Sequence, residues 1–392
     1  MRTRRLLSAL AGPLIGVFAL AGCSQAPEDF DRTPEQVTTE LDAVDASDLQ
    51  LPLIIEPLEL VEPGWDLPPK HLGEVFLSAS TGDETLDFSA VDVHGSTLWQ
   101  AKRPSGCTGF TVSVDADGTP LAVLTDSDSS TDCDEDVTAS AYDLETGEQE
   151  WGPVDVPGPM RGPGTVFAPV DADLTEAVAL DPATGDEVPE PSTEPNHGDT
   201  DSARRLGEYR GMFLDVTDGK LIAVEDGSSV WEHSLADNDW TVDELAPAAG
   251  ASTGDGVVHL DTGDGAGPAF DRETGDLLDD DARGAAQDAN TGAIVTLGKQ
   301  GLTVIDDTGK NELPVSVPQS VELEAAVGGL IYLREEGTLR VHNAMTGSLA
   351  RGYPADGSGV VAVPGAFTPD GLGTVKAGDR TLLATDRVVE ED

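Results

Sequence analysis

The chain has 392 residues, with 22 Lys and Arg against 74 Asp and Glu, giving a formal charge of −52. A body of that charge is repelled by phosphate backbones and anionic lipid, which excludes nucleic acid as a partner and simple electrostatic adsorption to a membrane. The 44 Gly and 26 Pro, beside only 5% aromatic residues, predict a chain rich in turns rather than in long helices.

In chain order, Arg2, Arg4 and Arg5 precede an apolar run from Leu6 to Gly22, the pattern of a signal peptide over residues 1–22. The run is 17 residues long, short of the roughly 20 needed for a membrane-spanning helix. It ends in Leu20-Ala21-Gly22-Cys23, which resembles the lipobox of bacterial lipoproteins. That resemblance implies cleavage before Cys23, lipidation of its thiol, and a body held at the extracytoplasmic side of the cell membrane by acyl chains such as palmitate. Thr3-Arg4-Arg5-Leu6-Leu7 also resembles a twin-arginine signal, so that route and the general secretory route both stay open. Removing the leader leaves 19 basic residues against 74 acidic ones. We read that excess as a solvated, salt-tolerant surface rather than as a cation site.

Residues 23–71 read as a lipidated tether. Thr33-Pro34-Glu35-Gln36 has the form of a helix N-terminus, and Val37, Leu41 and Val44 then fall on one face, which predicts a short helix. Leu51 to Val61, punctuated by Pro52 and Pro57, reads as an extended edge strand. Beyond Cys23 the cysteines are Cys107 and Cys133; in an oxidising compartment an intramolecular disulfide between them is the simplest expectation.

From residue 72 to 392 the chain is a succession of short β-branched runs bounded by Gly, Asp, Asn or Pro, the pattern of an all-β domain. One phrase recurs. It is fullest as Ala141-Tyr142-Asp143-Leu144-Glu145-Thr146-Gly147, with Trp151 four residues on, and it returns around Gly185, Gly275 and Gly347. Weaker copies lie at Gly95 with Trp99, at Gly227 with Trp231 and at Gly309, and a truncated one at Ala384-Thr385-Asp386 closes the chain. Successive turn glycines are 34 to 52 residues apart, near the length of a four-stranded propeller blade.

The frame Ala-x-Asp-x-x-Thr-Gly-x-x-x-Trp resembles the tryptophan-docking repeat of PQQ-like β-propellers, a superfamily that includes quinoprotein alcohol dehydrogenases and the BamB type of assembly lipoprotein. The resemblance implies eight blades, or seven, with Trp99, Trp151 and Trp231 as wedges between neighbours and Gly147, Gly185, Gly275 and Gly347 in the turns they meet. A strand near residues 51–61 would close the ring.

Catalytic chemistry finds little support. The adjacent cysteines of the quinoprotein dehydrogenases are missing, and Asp92, Asp143, Asp181 and Asp271 are explained by turn geometry, so no PQQ or other cofactor is expected. Gly250-Ala251-Ser252-Thr253-Gly254 matches a nucleophile elbow, but no helical pattern follows it. The six histidines stand singly, without zinc spacing. Asp126, Asp128, Asp132, Asp134 and Asp136 crowd hard oxygens as calcium requires, yet lack the Gly and Glu of an EF-hand and read as a solvated loop. The expectation is a non-catalytic, lipid-anchored protein-binding or scaffolding module of the cell envelope with an unnamed protein partner. A sensor of a small ligand or carbohydrate is the alternative, with a PQQ-dependent oxidoreductase third.

Overall fold

A computed structural model describes residues 32–127, 137–170, 176–189, 191, 203–248, 252–253 and 256–388. Among these, regular structure is β apart from short turns such as Ala236–Asn238, and no helix is long and apolar enough to cross a membrane. Residues 1–22, expected to be a signal peptide, and Cys23 lie outside the described residues.

The strands fall into successive antiparallel units. Unit 1 comprises Lys70–Leu72, Val75–Thr81, Thr85–Asp92 and Ser96–Pro104; unit 2 comprises Phe110–Val114, Pro120–Ser127, Val137–Asp143 and Gln149–Val156. Among the described residues, unit 3 comprises Val166–Phe167, Val178–Leu180 and Glu187–Val188, and unit 4 is Arg204–Tyr209, Met212–Thr217, Lys220–Glu225 and Ser228–Ser234. The long strand Leu277–Gln287 serves two units. Its first half is the outer strand of unit 5, after Ala246–Pro247, Val257–Asp261 and Gly267–Asp271; its second half opens unit 6, before Ile294–Gly298, Gly301–Asp306 and Gly309–Leu313. Unit 7 is Glu322–Val327, Leu330–Glu335, Thr338–Asn343 and Leu349–Tyr353. Unit 8 takes Val363–Phe367, Gly373–Ala377 and Arg380–Val388 from the end of the chain and borrows Leu58–Val61 from its beginning as the outermost strand.

The core shows how these units are arranged. It is divided into eight apolar clusters among the described residues, each shared by two consecutive units. Trp99, Phe110 and Leu144 join units 1 and 2, for example, and Val61, Phe76 and Leu383 join unit 8 back to unit 1. Each sheet therefore buries its two faces against its two neighbours, and the last unit meets the first. The first strand of unit 8 also touches that of unit 1. This is a β-propeller, read from the chain's own sheet order.

The segment before unit 1 departs from the helical expectation. Glu35–Glu40 is a strand, antiparallel to Ser96–Pro104, with Gln36 opposite Trp99. An isolated helix of about a dozen residues is marginal in water. Val37, Thr38 and Thr39 are β-branched, and the open edge of unit 1 supplies a ladder of N–H and C=O groups that outweighs the local cap. The chain then crosses the ring seam. Leu41 N–H bonds to Gly95 O, Leu49–Gln50 pairs parallel to Val360–Val361, and Ile55 and its neighbours enter the core of units 7 and 8.

Candidate functional site

The recurring frame has one geometry. Asp143 Oδ1 accepts bonds from the N–H groups of Glu145 and Thr146 at 3.0 and 2.7 Å and from the Thr146 hydroxyl at 2.9 Å, while Gly147 turns the chain at φ +70°. Asp271 makes the same set. So does Asn343, at 3.0–3.1 Å. Since the amide oxygen of Asn343 accepts the same bonds as the carboxylates, the turn requires an acceptor at this position and not a charge.

Beyond each such turn a bulge rotates the outer strand so that the residue four after the Gly faces the frame's Ala, as Trp151 faces Ala141 and Trp231 faces Ala223. The indole is thereby aimed at the next unit. Trp99 donates its N–H to Leu144 O at 2.8 Å and lies against Gly147, where a Cβ would come within 2.9 Å of its Cγ. Trp151 donates to Pro182 O and covers Gly185; Trp231 donates to Arg272 O and covers Gly275. At these three turns Gly is required twice, for its positive φ and for the space the indole occupies. At Gly347 the covering groups are Leu313, Pro314 and Val315, and at Gly95 they are Val61, Thr385 and Arg387.

The other singled-out residues separate. Cys107 is disulfide-bonded and packs beside the core of units 2 and 3; Cys133, with Asp128 to Asp136, lies outside the described residues. Ser252–Thr253 forms a short parallel strand along Ala285–Ala286 rather than a turn into a helix. Among the described residues, His71 stacks on Phe76, His259 and His342 bond to backbone carbonyls, and His94 pairs with Asp386 across the ring seam at 2.8 Å. No group of three or more His, Cys, Asp or Glu among the described residues is placed to hold a metal ion.

Two polar features lie beyond what local patterns indicate. The first crosses units 1 to 4. Glu208 is 2% exposed; its carboxylate accepts the Ser113 hydroxyl at 2.8 Å and the N–H groups of Gly211 at 2.6 Å and Thr165 at 3.2 Å. Burial, the dominant cause, raises its pKa, while those donors and the charge of Lys70 oppose the rise. Lys70 donates to Phe110 O at 2.9 Å and sits over the Phe110 ring. Protein crowds its ammonium and pushes its pKa down to about 8, with Glu208 opposing. Beside this network, Arg205 and Asp215 form a two-bond ion pair at 2.8 and 3.0 Å, and Arg205 also reaches the carbonyls of Val188 and Pro189.

The second feature is a cavity of about 360 Å³ at the rim, between the tether segment and unit 2. Arg103, 2% exposed, donates to Tyr142 Oη at 2.9 Å, pairs with Asp126 at 3.4 Å and holds the Arg32 carbonyl; Thr138, Ser140 and Gln149 complete the polar wall.

The chain is thus a β-propeller in which Trp99, Trp151 and Trp231 dock at three of the junctions between units. No family model matches the chain, and no curated protein matches it convincingly. Solved structures give loose likenesses. A chain of the Mitotic Checkpoint Complex is 13% identical with both chains fully covered and a TM-score of 0.37. Saccharomyces cerevisiae Sqt1 is 12% identical over 84% of this chain and 97% of that one, with a TM-score of 0.38. The β-propeller domain of Myceliophteria thermophila Cps50 (Swd1) is 11% identical over 83% and 98%, with a TM-score of 0.40. The fold assignment rests on the sheet order and the eight shared clusters, and these likenesses add nothing to it.

Proposed function

We propose that this chain is an eight-bladed, lipid-anchored propeller on the extracytoplasmic side of the membrane, and that it works there as a non-catalytic protein-binding scaffold. The observation that carries this reading is the use of the recurring polar residues. Asp143, Asp271 and Asn343 each commit one side-chain oxygen, Oδ1, to three donors of their own turn, and the docked indoles commit their N–H groups to the next unit. What such a ring offers a partner is its rigid loop surface. The lipobox-like Leu20-Ala21-Gly22-Cys23 supports the anchor, and the resemblance of the frame to tryptophan-docking propellers supports the blade count.

A mild-detergent pull-down of the native protein, with mass spectrometry and an absorbance spectrum of the same sample, tests the reading. We expect a stoichiometric envelope protein and no chromophore. A quinone-like band, or a tightly held small molecule without a protein partner, would overturn it. The rim cavity around Arg103 favours a second reading, a sensor of small polar ligands or carbohydrate. A sugar that raises the melting temperature of the wild type and leaves that of Ser140→Leu unchanged would select the sensor over the scaffold.

A further inference from the structure

The place where the tether leaves the ring is fixed by several contacts. Arg32 pairs with Asp126 of unit 2 at 3.3 Å, and its carbonyl is held by the buried Arg103 of unit 1. Pro34 packs against Gly147, and Gln36 donates to Thr146 O at 3.0 Å, both in the motif turn of unit 2. Glu35–Glu40 is then laced to the outer strand of unit 1. Residues 32–36 are therefore fixed at the rim where units 1 and 2 meet.

Nine residue steps separate Arg32 from Cys23. A fully extended chain spans at most about 3.3–3.6 Å per residue, so this link reaches no more than roughly 30 Å. A compact domain of this length has a diameter of roughly 50 Å by the usual scaling of size with chain length. A 30 Å link at one point of the rim cannot let the opposite rim face the bilayer while the attachment point faces away. The body's excess of acidic residues also opposes close approach to anionic lipid by any other surface, within a screening length of about 10 Å.

We infer that the anchored propeller stands with the rim of units 1 and 2 toward the bilayer, its membrane-proximal surface, and with units 5 and 6 turned outward, where a partner approaching from the extracytoplasmic side meets them first. This orientation rests on the lipid-anchor reading. It places the motif turn of unit 2, with exposed Glu145, near the lipid, and the corresponding turn of unit 6, with exposed Asp307, on the far side.

The test uses the full-length lipidated protein in vesicles of phosphatidylcholine with phosphatidylglycerol that carry an energy-transfer acceptor on their headgroups. Single donor dyes are placed through Glu145→Cys or Asp307→Cys, with the unsubstituted protein as the labelling control. Quenching at residue 145 should exceed that at residue 307 at least twofold. A 40-residue Gly/Ser insertion after Gln25, whose root-mean-square span with the native link is about 40 Å, should erase the difference. Equal quenching at the two sites with the native tether, or stronger quenching at 307, would overturn the orientation while leaving the anchor intact. Failure of the protein to float with the vesicles, or unchanged flotation of Cys23→Ala, would instead overturn the anchor and the orientation together.

Discussion

The junction between units 1 and 2 and the junction between units 3 and 4 solve one packing problem with opposite chemistry. At the first, a fully buried Trp99 sits among Phe88, Phe110, Leu124 and Leu144, and its single polar atom is bonded to Leu144 O. At the second, the strands of unit 3 are two or three residues long, and the shared apolar cluster shrinks to Val166, Ala179 and Phe213. Polar groups take over there. Arg205 and Asp215 are each 5% exposed and pair with each other, Arg205 stacks on Phe213, and Glu208 ties Thr165 of unit 3 to Ser113 of unit 2. An apolar wedge stabilises by area removed from water, roughly 25 cal/mol per Å². A buried ion pair largely offsets its own desolvation and contributes mainly by punishing any arrangement that leaves one member alone.

Breaking the apolar junction should have the largest effect. Trp99→Ala removes the indole and its hydrogen bond, and the backbone around Gly147 cannot collapse into the space; a loss of about 3–5 kcal/mol is expected. Denaturant unfolding checks this. A loss below about 1 kcal/mol would mean that units 1 and 2 are held by the tether strand Glu35–Glu40 rather than by docking. The polar junction comes next. Asp215→Ala leaves the Arg205 guanidinium buried without its carboxylate, at a cost of about 3 kcal/mol. The paired replacement Arg205→Met with Asp215→Leu should recover most of that loss. If the single and double variants were equally unstable, the charged pair itself, with the Arg205 bonds to the Val188 and Pro189 carbonyls, would be what this junction requires, and apolar packing could not replace it.

The two junctions also differ in how far they can be read from the chain. Docking is legible because each element of the frame needs a particular residue type: an acceptor at Asp143, a Gly at positive φ, and a large apolar group four residues later. Even so, Ala286-Gln287-Asp288-Ala289-Asn290-Thr291-Gly292 carries the seven-residue core of the frame, with Thr296 in place of the Trp, outside the copies used to count blades. It lies at the inner turn of unit 6, where buried Asp288 bonds both to its own turn and to the N–H groups of Gly328 and Gly329 in unit 7. Spacing alone does not say whether a turn is inner or outer. The tether strand was hidden for a related reason. A cap box describes residues 33–36 in isolation, whereas the strand depends on the open edge of Ser96–Pro104 some sixty residues away. The network of Glu208, Ser113, Thr165 and Lys70 draws single residues from four units, and no pattern within any one of them announces it.

The smallest expected effect separates the junctions by pH. Glu208 is the carboxyl of this network, and its folded-state pKa is raised above the ordinary 4.5, chiefly by burial. Below 4.5 the group is protonated in the folded and unfolded chains alike, and its contribution to stability is fully present. As pH rises through the elevated folded value, the unfolded chain ionises first and the folded one must then bury a charge, so the contribution is lost. Lys70 recovers part of it through its attraction for the carboxylate. Many surface acids titrate in the same range, so the signal is the difference between wild type and Glu208→Gln followed from pH 4 to pH 8. That difference should change across this range in the wild type's disfavour as pH rises, because the amide holds no charge. In the Trp99→Ala background the pH-dependent difference should persist in direction, with its size altered by coupling through Phe110, which packs in the Trp99 cluster and meets Lys70 at its ring and carbonyl. A difference that stays flat with pH would show that the donors from Ser113, Gly211 and Thr165 cancel the burial of the charge. The polar junction would then be as indifferent to pH as the tryptophan it replaces.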